Sequence, residues 1–346
     1  LQCIYIAFTL HGNYMIIALS QKTVHTEKPD IPVLPRMLTL NSGEVTNKGI
    51  ETSIRLNPVK TKEWKVSIGA NYTHNENLLK DLLVDRIGVN GSSVVFAQVG
   101  QPVNIIAVPD YARVPEFADE AQTIRNPENL IGKVIVDKNT GYPSRAVEAS
   151  IIGNTIPKHR VGVDFSVKYK DFTLNNVFEY RGGYYYASIS LGSNLDFTGA
   201  SARSAYYNRE RFVFPNSVIN TGTVANPKYE ENTNVTISDG GTGFWTNSTY
   251  NRGTYSNYVY SGDYWKWREL SLSYDVPASF LKKTTSSTIQ AARISVQGRN
   301  LLLLTPKSNE YTDPDYSAND NNAIGVSTLT SSPPTRYFGG SISFTF

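Results

Sequence analysis

The residues best suited to metal or redox chemistry are few and far apart in this sequence. Its four histidines, His11, His25, His74 and His159, have no ligand-like spacing, and each is more simply interpreted as a polar residue of a loop or strand end. Cys3 is the only cysteine, so an intrachain disulfide and a Cys-rich metal site are both excluded. We therefore expect no catalytic metal and no cofactor.

Acidic residues could serve a hydrolase only if two carboxylates faced each other about 5–10 Å apart in a cleft. Two groups are possible donors: Asp313 with Asp315, and Glu116 with Asp119 and Glu120. Nothing in the sequence pairs either group, and acidic loop residues are usually only solvated. The sequence also has no nucleophile elbow and no phosphate-binding loop. It therefore predicts that the protein is not an enzyme.

Aromatic side chains crowd one long polar stretch, where flat rings could stack on sugar rings or on peptide side chains. Tyr184, Tyr185 and Tyr186 open this stretch, and five more rings lie towards its end: Trp245, Tyr250, Tyr255, Tyr258 and Tyr260. The alternative interpretation is that these rings pack loop against loop or belong to an aromatic belt. We treat all eight as candidates for ligand contact.

The composition favours strands and turns over helices. Of the 346 residues, 40% are hydrophobic and 18% are charged, with 22 Tyr, 14 Phe and 4 Trp but only 2 Met. Tyr suits positions with one wet and one apolar side, such as membrane belts. The formal net charge of +3 is small and no Lys/Arg cluster stands out, so nucleic acid is not an expected partner.

Apolar and polar residues alternate in several segments, some of which approach the length, about 9–11 residues, that a tilted strand needs to cross a bilayer. These segments are 48–58, 64–73, 160–169, 172–180, 270–276, 294–299 and 337–346. The polar face carries charges at mid-strand, as a wet lumen allows: Arg55, Lys65, Asp164, Lys168, Glu179 and Arg299. The apolar face carries aromatic residues at strand ends, as a membrane girdle requires: Trp64, Tyr72, Tyr169, Phe172, Tyr180, Tyr274 and Phe346.

The connections between these segments alternate in length. Turns near 57–62 and 170–171 are tight and the connection 277–288 is moderately short, whereas the stretches 24–46, 75–159, 182–262 and 301–335 are long and polar. Outer-membrane barrels have short periplasmic turns and longer extracellular loops. The pattern therefore predicts an all-β fold, a transmembrane antiparallel β-barrel of about eight to ten strands. A soluble β-sandwich binding module and a passive porin remain the alternatives.

One segment breaks the alternation. In 264–276, Lys266 and Arg268 have the same parity as Leu270 and Leu272, which would place two cations on the apolar face. A position near the outer rim, where a cation costs only about 0–1 kcal/mol, would explain this. A β-bulge that reverses the parity would explain it equally well.

Several motifs in this order resemble the SusC/RagA-type TonB-dependent outer-membrane transporters. Residues 41–51 (NSGEVTNKGIE) are similar to a strand opening of that family, and 152–157 (IGNTIP) to its entry into a strand pair. Residues 264–277 (YWKWRELSLSYDVP) resemble a third segment. Shorter matches follow: 298–301 (GRNL), loosely 313–315 (DPD), and 333–339 (PPTRYFG) leading to Phe346.

The resemblance implies a 22-stranded barrel with a plugged lumen in the bacterial cell outer membrane, with many membrane passes. It implies import of a bulky nutrient (a glycan, oligosaccharide or peptide) energised by TonB–ExbB–ExbD, with a SusD-like lipoprotein as a hinged lid. The eight aromatic candidates above would then contact substrate or lid.

The sequence departs from the family pattern in ways that define the expected domain. It has no plug domain and no TonB box, so residues 1–346 are interpreted as the C-terminal part of the barrel. Residues 1–40 match poorly, apart from an alternating stretch around 10–20 that could form one strand. Residues 137–141 (DKNTG) lack the third carboxylate of a calcium-binding run and are interpreted as a turn.

The final residues carry a possible assembly signal. Phe346 and Phe344, with Ile342 before them, alternate as in the aromatic-ended signal by which barrels are recognised for insertion into the outer membrane. The same residues also fit the girdle of a last strand, and both interpretations can hold together.

Overall fold

A computed structural model describes most of the chain from Gly43 onwards, together with two strands before it. The described residues are 2–10, 13–21, 43–206, 209–238, 242–285, 288–309, 312–318, 324–330 and 334–346. His11, His25, most of the long stretch 24–46, and the outermost residues of the motifs at 41–51 and 333–339 lie outside them.

Strands dominate the described residues. In chain order they are β1 Gln2–Leu10, β2 Asn13–Gln21, β3 Gly43–Lys60, β4 Trp64–Leu82, β5 Arg86–Gly88, β6 Val95–Gln98, β7 Ile105–Val108, β8 Val134–Val136, β9 Ser150–Asn154, β10 His159–Tyr169, β11 Phe172–Gly182, β12 Tyr185–Ala187, β13 Ser217–Asn220, β14 Tyr229–Glu231, β15 Val259–Ser261, β16 Tyr264–Asp275, β17 Ala291–Leu304 and β18 Tyr337–Thr345. The α-helices are short: α1 Glu120–Arg125, α2 Ile189–Thr198, α3 Ala202–Tyr206, α4 Thr242–Thr246 and α5 Ala278–Thr285. Single 3₁₀ turns span Val89–Gly91, Glu128–Leu130 and Tyr255–Tyr258.

Nine of these strands form one antiparallel sheet, in the order β1-β2-β3-β4-β10-β11-β16-β17-β18. This agrees with the expected eight to ten strands and confirms the predicted fold class. The predicted strand around 10–20 is β2, which joins β3 through the pair Ala18 and Glu51. The edge strands β1 and β18 do not pair with each other within the described residues, so these nine strands form an open part of a barrel.

Aromatic side chains form two rows on the apolar face of this sheet. Towards the tight turns, Trp64, Tyr169, Phe172 and Tyr274 lie opposite one another on four neighbouring strands. The ring centroids are 4.3 Å apart for Trp64–Tyr169 and 4.7 Å for Phe172–Tyr274. Towards the long loops, Tyr72, Tyr180 and Trp265 form the second row. Tyr72 lies eight positions after Trp64, which is about 27 Å along a strand and about 20 Å in height at a tilt of roughly 40°.

The apolar face between these rows remains open. Ile54, Ile68, Leu272 and Ile342 are 42%, 39%, 41% and 63% exposed, so no second sheet of the described residues packs on them. A soluble sandwich would bury this face against another sheet. The observed exposure is that of a surface that meets an apolar solvent.

The opposite face is polar and linked across its strands. Asn175 Nδ2 donates to Ser271 Oγ at 3.3 Å, and the Ser295 and Ser273 hydroxyls are 2.9 Å apart. Arg55 and Asp164 form an ion pair of 3.2 Å across Gly69, where a Cβ atom would lie 2.3 Å from Asp164 Oδ1. Gly69 therefore permits the two charged side chains to meet over the strand between them.

The long connections fold together into a loop body at one end of the sheet. It contains the four-stranded sheet β5-β6-β7-β9, the three-stranded sheet β14-β13-β8 and the pair β12-β15. Separate apolar clusters hold it together, one around Ile106, Val108 and Ala187, another around Phe212, Phe244 and Trp245. The short connections lie at the other end, although the one at 276–290 contains α5. The predicted asymmetry of turns and loops is confirmed for the described residues, except that β4 continues to Leu82 and includes the first residues of the predicted loop 75–159.

The tight turn between β10 and β11 allows a test of local backbone strain. Lys170 has a φ of 52°, a conformation that costs a non-Gly residue about 1–2 kcal/mol. We expect Lys170→Gly to stabilise the full-length protein by about 1 kcal/mol, measured by denaturant unfolding in lipid vesicles. Lys62→Gly, in the neighbouring turn where φ is not positive, is the control and should give no such gain. Equal effects of the two substitutions would contradict the assignment of backbone strain to Lys170.

Candidate functional site

A β-bulge explains the break in the alternation at Lys266 and Arg268. The pairing of β16 shifts by one residue between Trp267 and Glu269, both against β11 and against β17, so Arg268 has no direct partner. Trp265 and Trp267 consequently stay on the apolar face, while Lys266 turns to the polar face and is only 3% exposed. The bulge alternative is confirmed, and a position of Lys266 at a lipid-exposed rim is excluded.

The bulge brings together a cluster of charged side chains, here called the anchor cluster: Glu179, Arg181, Tyr264, Lys266, Arg268, Asp313 and Asp315. Lys266 Nζ donates to Asp313 at 2.8 Å and to Asp315 at 3.0 Å. Both Arg268 terminal nitrogens donate to the Asp315 carboxylate, one of them at 2.9 Å. Arg268 Nε donates to Glu179, which also accepts from Arg181, each at 2.5 Å. Barrel strands and the loop at 312–318 thus share one network.

Two buried tyrosines fix the backbone of the same loop. The Tyr184 hydroxyl donates to the Pro314 carbonyl at 3.3 Å, and the Tyr186 hydroxyl donates to the Tyr316 carbonyl. Tyr264 completes the arrangement by donating to Asp315 at 2.8 Å. The two sequence motifs 264–277 and 313–315 therefore meet in the fold, because Tyr264, Lys266 and Arg268 of the first motif bind the carboxylates of the second.

The anchor cluster is electrically balanced, with three cations and three carboxylates. Burial alone raises the pKa of Asp315, but hydrogen bonds from Arg268 and Lys266 outweigh it and hold the pKa of this carboxyl well below its usual range. A carboxylate with a lowered pKa contributes stability above its ordinary pKa and loses it as the pH falls. The anchor is therefore intact at neutral pH and weakens progressively as the pH falls below 3.8, the ordinary pKa of an Asp carboxyl.

The aromatic candidates divide into two groups. Five are buried, namely Tyr184, Tyr186, Trp245, Tyr258 and Tyr260, at 4%, 1%, 2%, 0% and 8% exposure. Their rings pack inside the loop body, so they present no face to a ligand, and the loop-against-loop interpretation describes them. Tyr185 is 38% exposed, and Tyr250 and Tyr255 are half-buried. Contact with substrate or lid stays a prediction for these three alone.

A second polar network lies inside the loop body and was not predicted. Asp196 is fully buried, and both its oxygens accept from Arg203, one at 3.0 Å and one at 2.6 Å. Asn251 Nδ2 at 2.6 Å and the Tyr258 hydroxyl at 2.9 Å donate to the same carboxylate. The network joins α2 and α3 to the segment before β15. No sequence signal identifies it, because its members are separated by up to 62 positions.

The remaining sites of possible chemistry are structural or solvated. Among the described residues, no three His, Cys, Asp or Glu side chains form a group that could hold a metal ion. Asp137 Oδ1 accepts from the backbone of Asn139 and Thr140 at 2.9 and 2.8 Å, which confirms the predicted turn. Asp119 accepts from Ala121 N at the start of α1, while Glu116 and Glu120 are exposed.

Two histidines that are far apart in sequence are neighbours in the fold. His74 on β4 and His159 on β10 lie opposite each other, with their Nδ1 atoms 3.3 Å apart. The Tyr72 hydroxyl is 2.9 Å from His159 Nδ1. His159 begins β10, as predicted for a strand-end residue, but the prediction is wrong for His74, which lies inside β4 because that strand continues to Leu82. Their pairing follows from strand register, which sequence spacing does not reveal.

The comparisons with known proteins agree with this architecture. No family model matches the chain. TonB-dependent receptor P3 of Formosa agariphila is 25% identical over 334 residues, which is 90% of this chain and 30% of that receptor. TonB-dependent receptor P26 of the same organism is 23% identical over 295 residues, 82% of this chain and 27% of that receptor. The chain spans less than a third of the length of the curated relatives it matches.

Solved structures of RagAB have the same fold. The structure of the RagAB peptide transporter matches with a TM-score of 0.61 at 16% identity, over 96% of this chain and 33% of that chain. The RagAB peptide importer in the "closed-closed" state matches with a TM-score of 0.57 at 17% identity. The resemblance to SusC/RagA-type TonB-dependent transporters is confirmed. These relatives are receptors and transporters and not enzymes, in agreement with the prediction for this chain. No helix in the described part of this SusC/RagA-like chain is long and apolar enough to cross a membrane.

The anchor cluster gives a prediction for local stability. Asp315→Asn leaves three cations against two carboxylates in the buried cluster and weakens the bonds from Lys266 and Arg268 to the loop. This should weaken the hold on residues 312–318 by about 3 kcal/mol. We expect amide hydrogen exchange in this segment of the full-length protein to be roughly a hundredfold faster. Glu116→Gln, at an exposed carboxylate of the loop body, is the matched control and should leave the exchange unchanged. Wild-type protection in the Asp315 variant would disprove the anchoring role.

Proposed function

We propose that this chain forms part of an outer-membrane, TonB-energised importer of a bulky nutrient. The cargo is a glycan, oligosaccharide or peptide, and the partners are TonB–ExbB–ExbD, a SusD-like lid lipoprotein and outer-membrane lipids. The proposal places the chain in the bacterial outer membrane as a multi-pass part of a larger barrel, namely its C-terminal part. The relatives are named as TonB-dependent receptors and as a peptide transporter, and we infer the same kind of role for this chain.

The observation that carries the proposal is the two-sided sheet. One face is apolar, exposed and bordered by two aromatic rows about 20 Å apart in height, close to the apolar band of about 25 Å in outer-membrane barrels. The other face carries ion pairs such as Arg55–Asp164 and Lys168–Asp275 at 3.2 and 3.1 Å. Hydrocarbon on one side and water on the other account for both faces at once.

The loop body supports import of a large cargo more than diffusion of small solutes. Its apolar clusters and its buried Asp196 network make it a packed structure at one end of the barrel wall. Half-buried Tyr250 and Tyr255 are the candidates there for cargo or lid contact. The RagAB structures are of a peptide transporter, which makes peptide one of the cargo classes to test first.

Uptake by the full-length protein in cells tests the proposal. We expect fluorescent pools of peptides or of oligosaccharides to enter only while the proton-motive force is maintained. Collapse of that force should abolish uptake, and loss of the lid lipoprotein should reduce it. Uptake that is indifferent to the proton-motive force would instead indicate a passive porin.

The assignment of the two faces has its own test. Ile68 lies midway between the aromatic rows on the apolar face, and its neighbour Ser67 lies on the polar face opposite Ser166. We expect Ile68→Arg to reduce the free energy of folding into lipid vesicles by about 2–4 kcal/mol, since it places a cation near the bilayer midplane. Ser67→Arg adds the same side chain one residue away and should change it little. Similar losses from both substitutions would refute the assignment.

The proposed assembly signal can be separated from transport. Phe344 and Phe346 are 51% and 76% exposed, with ring centroids 6.5 Å apart. We expect deletion of Phe346 to lower the amount of protein inserted in the outer membrane while uptake per inserted molecule is retained. Replacing Phe346 by Trp, which keeps an aromatic end, is the control. Normal insertion after the deletion would rule out the signal role.

A further inference from the structure

The hairpin β3–β4 extends beyond the outer aromatic row and forms a groove with the loop body. A cavity of about 480 Å³ is lined there by Lys48, Lys80 and Lys158, together with Glu76, Leu78 and four polar or small neighbours. A second cavity of about 320 Å³ adjoins it and is lined by Ile151, Gly153 and Tyr185 among others. The two share Pro102, Asn154 and Lys158, so they form one continuous groove.

Register places this groove on the lipid-facing side of the strands. Lys48 pairs with Glu76, and both continue the face that carries Ile50 and Tyr72 lower on the same strands. Glu76 lies four residues beyond Tyr72, which is about 13 Å along the strand and about 10 Å in height at a tilt of roughly 40°. The groove therefore lies just above the outer aromatic row, at the depth of lipid headgroups.

The charge of the groove favours an anion. Three lysines line its first cavity against one carboxylate, Glu76. Lys158 Nζ is 3.2 Å from Glu76, and Lys80 is held at 3.1 Å by Glu44. Lys48 is exposed beside them. Lysine is a common ligand of phosphate, and each lysine near an anionic lipid surface adds about 1 kcal/mol, a factor of about five in affinity.

The other half of the groove is apolar. Leu78, Ile151 and Tyr185 are 41%, 40% and 38% exposed, although they lie beyond the apolar band of the sheet. The Tyr185 ring lies against Gly153, where a Cβ atom would be only 2.2 Å from it. Gly153 belongs to the motif at 152–157, and its lack of a side chain leaves the space that the Tyr185 ring occupies. Lysines beside partly exposed apolar side chains fit an amphiphile better than a soluble ion.

We propose that this groove holds the phosphate-bearing headgroup of a lipid from the outer leaflet. Lys48 and Lys158 donate to the phosphate, and Tyr185, Ile151 and Leu78 cover the adjoining apolar part of the lipid. Tyr185 is accordingly assigned to the lipid and not to the cargo. The inference rests on the proposed membrane location but requires no particular cargo, lid or energy source.

The test compares lipid retention by purified full-length proteins. Native mass spectrometry in detergent measures bound lipid A and, as the comparison, its dephosphorylated form. We expect the double variant Lys48→Gln/Lys158→Gln to retain lipid A about 25-fold less well, since two contributions of about fivefold are lost. The control Lys60→Gln/Lys65→Gln removes the same charge at the other end of the same hairpin and should retain lipid A as the wild type does.

A charge-preserving variant and two competing ligands complete the test. The variant Lys48→Arg/Lys158→Arg preserves the charge and should restore retention, which separates lost binding from misfolding. Equal retention by the Gln variant, equal loss in the control, or equal binding of dephosphorylated lipid would each overturn the proposal. Displacement of lipid A by inorganic phosphate at similar concentration would also overturn it and indicate a soluble-anion site. Failure of the wild type to insert into vesicles would instead contradict the proposed function.

Discussion

Separation of hydrocarbon from water by a single layer of strands is the constraint on which the rest of this structure depends. Side chains alternate strictly along a strand, so a register error of one residue exchanges the two faces completely. The aligned rows from Trp64 to Tyr274 and from Tyr72 to Trp265 indicate that the register is kept across neighbouring strands. Where the sequence cannot keep it, as at Arg268, a bulge restores it.

The bulge has a consequence beyond the correction of parity. By turning Lys266 to the polar face it creates a buried cation, and a buried cation requires partners. Asp313 and Asp315 supply them from a loop that is distant in sequence. The same local irregularity that keeps Trp265 and Trp267 on the apolar face therefore recruits the loop at 312–318 to the wall. Breaking such a pair costs much more than its formation contributes, so the cluster fixes position more than it adds stability.

The sequence was sufficient to predict the features that depend on the alternation of apolar and polar residues and on composition. Alternation in 160–169 and 172–180 predicted β10 and β11, and the loop lengths predicted which end would carry the folded loops. The sequence was insufficient where contacts join distant positions. It could not choose between bulge and rim for Lys266, because the answer depends on the partners opposite β16. It also offered eight aromatic residues for ligand contact, of which five are buried, since composition alone does not distinguish a ring that binds from a ring that packs.

The anchoring of the loop also limits where motion can occur in an importer of the proposed kind. Residues 313–316 are held through three cations, three carboxylates and two tyrosine hydroxyls that bind backbone carbonyls. Opening this segment would expose Lys266 and the buried rings of Tyr184 and Tyr186 together, a change that costs several kcal/mol. The loop body is further stiffened by the Asp196 network, in which four side chains converge on one buried carboxylate. In the importer proposed above, a rim built in this way would be a fixed surface, and the movement would belong to the proposed lid and not to these loops.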